Sequence, residues 1–282
     1  MSFQLLKYQQ PFETESGFVF SELDIAYHTY GKLNAARDNV VWVCHALTAS
    51  SDAADWWDGL IGEGKIFDPN KYFIVCANML GSSYGATNPS SNNPMTNRAY
   101  AKDFPLVTIR DMVHSHQILQ QHLGIDKIHL ILGGSMGGQQ AIEWAITAPN
   151  LFDRVAIIAS NAKHSAWGIA FNESQRMALE ADVTLYSNEP DAGKKGLEAA
   201  RAIAMLSYRH YNSYQKTQTD TDDRIDDFRA SSYQRYQGFK LQKRFHPLAY
   251  IALGKAMDNH DVGRGRGNLE IALQKIEAPT LV

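Results

Sequence analysis

Lys127-Ile128-His129-Leu130-Ile131-Leu132 leads into Gly133-Gly134-Ser135-Met136-Gly137-Gly138, and Gln139-Gln140-Ala141-Ile142-Glu143-Trp144-Ala145-Ile146 follows. The first block is a short apolar run and the last has helical patterning. Between them stands G-x-S-x-G. Strand, G-x-S-x-G, helix is the layout of a nucleophile elbow. The turn is so tight that side chains two residues before and two after the serine collide across it. Gly133 and Gly137 remove that collision, because glycine has no Cβ. The layout predicts Ser135 Oγ held at the top of a sheet, at a helix N-terminus whose dipole and unpaired N–H groups favour developing negative charge. The functional reading is a covalent acyl-serine catalyst. The alternative is a glycine-rich turn with an incidental serine.

Outward from the elbow, residues 39–44, 72–77, 128–132 and 154–159 are continuous apolar runs. Runs of this kind, rather than alternating ones, are expected of a parallel sheet covered on both faces. Helical patterns at 108–123 and 139–147 lie between them, and the alternation predicts an α/β, doubly wound sheet with helices on both faces. After Asn161 the character changes. Helical patterns run over 169–181, 196–211, 231–240 and 247–257, with a polar loop at 217–223. We read residues 1–163 as the core, 164–275 as an inserted helical lid, and 276–282 as the start of a returning core strand, with the last strands of the sheet missing.

Hydrophobic residues make up 44% of the 282 and charged residues 20%, an ordinary globular balance. A net charge of -3 gives no general reason to expect nucleic-acid or membrane binding. Residues 1–17 are polar and no apolar run approaches the length of a membrane span. Cys44 and Cys76 each sit near the end of an apolar run and read as buried free thiols of a cytoplasmic protein.

An acyl-serine needs donors for the oxyanion of its tetrahedral intermediate. One is the N–H of the residue after the nucleophile, Met136. The second is expected from the loop after an earlier strand. His45-Ala46-Leu47-Thr48-Ala49-Ser50 follows the strand ending at Cys44, and we assign this donor to Leu47 N–H. Losing one such donor typically costs about 3 kcal/mol of transition-state stabilisation. His45 precedes the elbow, the wrong order for a catalytic base here, and reads as a structural loop histidine. Arg201 and Tyr208 lie seven residues apart and share a helix face. An arginine on a buried helix needs an anionic partner, either a substrate carboxylate held bidentately or a carboxylate of the lid. Asn172 and Arg176, one turn apart, read as a lid-packing pair, with a site contact as the alternative.

His260-Asp261 precedes the returning strand and reads as structural. Gly263-Arg264-Gly265-Arg266-Gly267 follows no strand and lacks a G-K-[ST] ending, so it reads as a lid-to-core loop, with an acyl-donor phosphate contact as the weaker alternative. No metal-ligand spacing is present. In this layout the triad order is Ser, then Asp or Glu, then His. Ala278-Pro279-Thr280-Leu281-Val282 reads as the opening of a strand that precedes the acid. The expectation is a chain cut before its acid and base, a fragment inactive and poorly soluble alone.

Several ordered stretches carry a family resemblance. They are Cys44-His45-Ala46-Leu47-Thr48, Ala77-Asn78-Met79-Leu80-Gly81, Pro89-Ser90-Ser91, Asp103-Phe104-Pro105, Thr108-Ile109-Arg110-Asp111-Met112, and Gly133 to Gly138 with Glu143-Trp144. Ala170-Phe171-Asn172-Glu173, Arg201 with Tyr208, and Val262-Gly263-Arg264-Gly265 follow. From about residue 10 onward the chain resembles the homoserine O-acetyltransferase family of the α/β-hydrolase superfamily. The resemblance implies the α/β-hydrolase fold and a ping-pong transfer of acetyl from acetyl-CoA, through Ser135, to the hydroxyl of L-homoserine in methionine biosynthesis. It implies Leu47 and Met136 N–H as the oxyanion hole, Arg201 gripping the homoserine carboxylate, and Tyr208 lining the same pocket. It further implies no bound cofactor or metal, no nucleic-acid or membrane partner, and a homodimer packed through lid helices. Ala49 stands where glycine is usual, and Val183 follows Asp182 where proline is common. A succinyl donor, a serine acceptor, a related hydrolase and a non-catalytic remnant stay open as alternatives.

Overall fold

A computed structural model describes residues 3–282. Its main sheet has seven strands: β1 (Gln4–Tyr8), β4 (Leu23–Tyr30), β5 (Val40–Cys44), β6 (Phe73–Ala77), β9 (Leu130–Gly134), β10 (Val155–Ile158) and β11 (Thr280–Leu281). Two small hairpins, β2 (Phe12–Glu13) with β3 (Val19–Phe20) and β7 (Asn92–Asn93) with β8 (Arg98–Ala99), lie outside it. The sheet order is β1-β4-β6-β5-β9-β10-β11. From β6 to β11 every pairing is parallel, whereas β4 is antiparallel to both β1 and β6. The parallel part coincides with the continuous apolar runs. In β5 all five residues are buried, as a strand covered on both faces requires.

Helix α1 (Ala53–Trp56) is a single turn, and α2 (Ile109–His122) and α3 (Met136–Thr147) connect the parallel strands. Thr108 caps α2 in a reciprocal box, its side chain accepting from Asp111 N–H while the Asp111 carboxylate accepts from Thr108 N–H. Trp42 of β5 and Trp144 of α3 meet edge to face at 4.9 Å, and the His116 ring of α2 lies 6.0 Å from each. That aromatic cluster fixes α3, and with it the elbow, against the sheet. Cys44 and Cys76 are free, buried thiols.

The chain divides into two compact units. One holds the sheet, residues up to His164 together with Ala252–Val282; the other is Ser165–Ile251. The second unit contains α4 (Ala166–Glu180), α5 (Lys194–Tyr208), α6 (Tyr211–Gln218) and α7 (Arg229–Gln242), and the boundary falls within α8 (Pro247–Asp258). Residues 252–275, which the sequence assigned to the insertion, group with the sheet. Val262 N–H donates to Ala162 O at 3.0 Å and His164 N–H to His260 O at 2.9 Å, so this segment is tied to the chain leaving β10. It includes the short helix α9 (Leu269–Leu273). The pattern at 196–211 resolves into two helices, because Arg209 is extended and His210 caps α6 by accepting from Asn212 N–H. The helix α5 is also one-sided: Leu197, Ala200, Ala204 and Met205 are buried while Leu206 and Tyr208 are exposed. The returning strand at 276–282 is only two residues of β11, parallel to β10.

Candidate active site

Strand β9 delivers Ser135 to the N-terminus of α3 with φ 55° and ψ -124°. That conformation is sparsely populated for a residue with a side chain and stores about 1–3 kcal/mol. The flanking glycines show why the turn needs them. A Cβ on Gly133 would lie 2.2 Å from the Gly137 carbonyl oxygen, and one on Gly137 would lie 2.1 Å from the Cys44 carbonyl oxygen. The elbow therefore closes on itself and on the end of β5 at once. Backbone bonds hold it there: Ser135 N–H donates to Ile158 O at 2.9 Å, and Ser160 Oγ donates to Ser135 O at 2.7 Å. Ser135 itself is exposed.

Met136 N–H is among the first amides of α3, which the helix leaves without an internal partner. Leu47 is buried in the loop that leaves β5, the strand whose last carbonyl abuts Gly137. The two segments assigned as oxyanion donors thus meet at the elbow. A buried polar set fixes the far end of the Leu47 loop. Ser51 N–H donates to Asn78 Oδ1 at 2.8 Å, Asn78 Nδ2 donates to Ser51 Oγ at 2.9 Å, and His28 Nδ1 lies 2.8 Å from the same hydroxyl. Trp56 Nε1 adds a bond to Ser50 O at 2.8 Å. Sequence reasoning missed this set, because its members are scattered over separate strands and loops. Only the stretch Ala77-Asn78-Met79-Leu80-Gly81 gave any signal.

The two histidines read as structural, His45 and His260, are both held by backbone groups. His45 Nδ1–H donates to Ala46 O at 2.9 Å and its Nε2 accepts from Met79 N–H at 3.2 Å. Both nitrogens are committed in one neutral tautomer, and burial pushes the imidazole down to about 4. His260 Nε2 donates to Asn161 O at 3.1 Å, and burial likewise pushes it down to about 4. Asp261 accepts from Gly263 N–H and pairs with Lys163 at 2.9 Å, a turn staple. The arginines of Gly263-Arg264-Gly265-Arg266-Gly267 are taken up by carboxylates of the sheet unit. Arg264 pairs with Glu15 at 2.8 Å and Arg266 with Glu143, so the loop is a strap and not a phosphate cradle.

In the helical unit the Arg201 guanidinium stacks over the Tyr208 ring, 5.3 Å from its centroid. The shared face read from their spacing is present. Asn172 and Arg176 are both buried, and Arg176 Nε donates to Glu173 Oε2 at 2.8 Å. Tyr250, buried in the same unit, donates its hydroxyl to Gln175 Oε1. Among the described residues no cluster of His, Cys, Asp and Glu has the makings of a metal site. Likewise, no helix among them is long and apolar enough to cross a membrane.

Parallel strands and a strained serine between strand and helix define the alpha/beta hydrolase fold, whose family model matches residues 39–243. Over 281 residues the chain is 51% identical to homoserine O-acetyltransferase of Cyclobacterium marinum, a match spanning all of this chain and 80% of that protein. It is 45% identical over 275 residues to the Chlorobium luteolum homoserine O-acetyltransferase, covering 96% of this chain and 77% of that one. The chain belongs to the homoserine O-acetyltransferase family. Among solved structures, homoserine O-acetyltransferase from Bacillus anthracis superposes with a TM-score of 0.89 at 26% identity, covering 99% of this chain and 82% of that one. The L374D mutant of esterase E22 superposes with a TM-score of 0.88 at 25% identity, covering 99% and 83%.

Proposed function

We propose that this protein transfers acetyl from acetyl-CoA to the side-chain hydroxyl of L-homoserine through an acetyl-Ser135 intermediate. The observation that carries the proposal is Ser135 in its strained turn at the start of α3, exposed and beside the Leu47 loop. Ser135 Oγ attacks the thioester carbonyl, and Leu47 and Met136 N–H take up the charge that develops on its oxygen. The C–S bond breaks, CoA leaves as the thiol, and the homoserine hydroxyl attacks the acyl-serine to regenerate Ser135. The proton acceptor is a residue other than His45 or His260. Arg201 is the clamp for the homoserine carboxylate, and Tyr208, stacked on it, lines that subsite and steers the guanidinium. In this reading the enzyme needs no bound cofactor or metal, works in the cytoplasm and forms a homodimer. The curated relatives named above support the acetyl donor and the homoserine acceptor.

The likeness to esterase E22 favours a second reading, in which water resolves the same acyl-serine. One experiment separates them. The full-length protein is given acetyl-CoA, and CoA thiol release is followed with and without homoserine, alongside succinyl-CoA and serine as competitors. Release that depends on homoserine, yields O-acetylhomoserine and falls about 10⁴–10⁶-fold in Ser135→Ala is expected. Hydrolysis that homoserine does not divert supports the esterase reading, and faster turnover of succinyl-CoA replaces the donor.

A further inference from the structure

Gln140 is completely buried on α3, one turn beyond Met136. Its side-chain Nε2 lies 3.3 Å from His45 O and 3.1 Å from Met136 O, with Met79 Sδ also against it. Both oxygens are backbone carbonyls and only accept, so the –NH₂ end of the amide must face them. The opposite end, Oε1, is buried without a hydrogen-bond partner among the described residues. A buried amide normally satisfies both ends. Here the donor end is served by two backbone carbonyls and the acceptor end is not.

What it holds together is specific. Met136 O belongs to the residue assigned as one oxyanion donor. His45 O lies two residues before Leu47, the other. The His45 ring fixes the same loop from its other side through Met79 N–H and Ala46 O. We infer that Gln140 is a positioning residue, whose amide sets the separation of the Leu47 and Met136 N–H groups by bridging the two backbone segments that carry them. This rests on the acyl-serine reading above. An oxyanion hole acts only if its donors are fixed at hydrogen-bond distance from where the charge develops, so loosening the bridge weakens transition-state binding more than substrate binding.

The test uses Gln140→Leu and Gln140→Met in the full-length protein, both of similar volume and without a donor. Thermal unfolding, kcat and KM for each substrate are measured beside Ser135→Ala. The expected result is a folded variant with kcat lowered at least tenfold and KM values within about threefold of the parent. Gln140→Glu, which turns a carboxylate against two carbonyls, is expected to lose still more. A folded leucine or methionine variant with kcat within threefold of the parent overturns the inference, as does a kcat loss matched by an equal rise in KM. If Ser135→Ala keeps full activity, the acyl-serine reading itself falls and the inference falls with it. If Gln140 variants are unaffected while Ser135→Ala is inactive, only the inference is lost.

Discussion

Arg266 grips both carboxylate oxygens of Glu143, Nη1 at 2.9 Å from Oε2 and Nη2 against Oε1, across 123 residues of sequence. Glu143 is 1% exposed on α3, two turns beyond Ser135, and Arg110 Nε approaches it from α2 at 3.5 Å. Arg110 also bonds Glu15 and the carbonyls of Asp261 and Arg264. One buried carboxylate thus joins the elbow helix, its neighbour helix and the strap from 261 to 267. The glycine–arginine stretch, read from the sequence as a loop with a phosphate contact as the weaker alternative, is held by this network.

Removing the carboxylate charge leaves Arg266 largely buried without its anionic partner, while Arg110 keeps Glu15. Glu143→Gln is expected to lower stability by about 3 kcal/mol, the scale for breaking one side of a buried pair. Urea unfolding checks it. A loss below about 0.5 kcal/mol shows that solvent replaces the carboxylate and that the network does not stiffen α3.

Gly133, Gly134 and Gly137, beside the serine, differ in what surrounds them. A Cβ on Gly133 or Gly137 would strike backbone oxygen, whereas one on Gly134 would find its nearest atom, Ile158 O, at 3.8 Å. Gly133→Ala and Gly137→Ala are expected to destabilise by more than about 3 kcal/mol or to prevent folding, and Gly134→Ala to stay within about 1 kcal/mol. Thermal melts of the three variants rank them. Equal effects at all three positions contradict the packing argument.

The strain at Ser135 is separable from its chemistry. Glycine adopts φ 55°, ψ -124° without a side-chain penalty. Ser135→Gly is therefore expected to raise stability by about 1 kcal/mol while abolishing acyl transfer, whereas Ser135→Ala keeps the strain. If Ser135→Gly is no more stable than Ser135→Ala, the turn is not strained in the folded protein.

Acid should weaken the fold before the carboxylates titrate. Burial pushes His45 and His260 down to about 4 and His116, where the His45 charge adds to it, to about 3. In the unfolded chain a histidine titrates near 6.5. Between roughly pH 6.5 and 4 the unfolded state therefore binds protons that the folded state refuses. The stabilisation is complete above the unfolded value and declines as pH falls, by about 1.4 kcal/mol per pH unit for each histidine fully in that window. Urea midpoints from pH 8 to pH 5 measure the slope, and a flat profile between pH 7 and pH 5 rules it out.

Much of the site was legible because it is local. Six residues of one turn, Gly133 to Gly138, specify the elbow through sterics alone, and the preceding apolar run and following helix specify its flanks. The parallel strands were legible for a related reason: burial on both faces leaves an uninterrupted apolar stretch. The antiparallel strands β1 and β4 were not, since their residues mix apolar and polar types and give no continuous apolar run. The helix break at Arg209 was also not marked by any proline or glycine in the run from Leu197 to Tyr211.

The sequence alone determined the serine turn, its glycines, the parallel sheet and the adjacency of Arg201 and Tyr208, because each follows from spacing within one element. Only the tertiary structure decided that His45 is locked as a neutral loop histidine, that Gln140 reaches both His45 and Met136 carbonyls, and that Arg264 and Arg266 are strapped to Glu15 and Glu143. Those facts depend on which distant backbone atoms and charges face a side chain, and that is fixed by packing rather than by any repeat or interval along the chain.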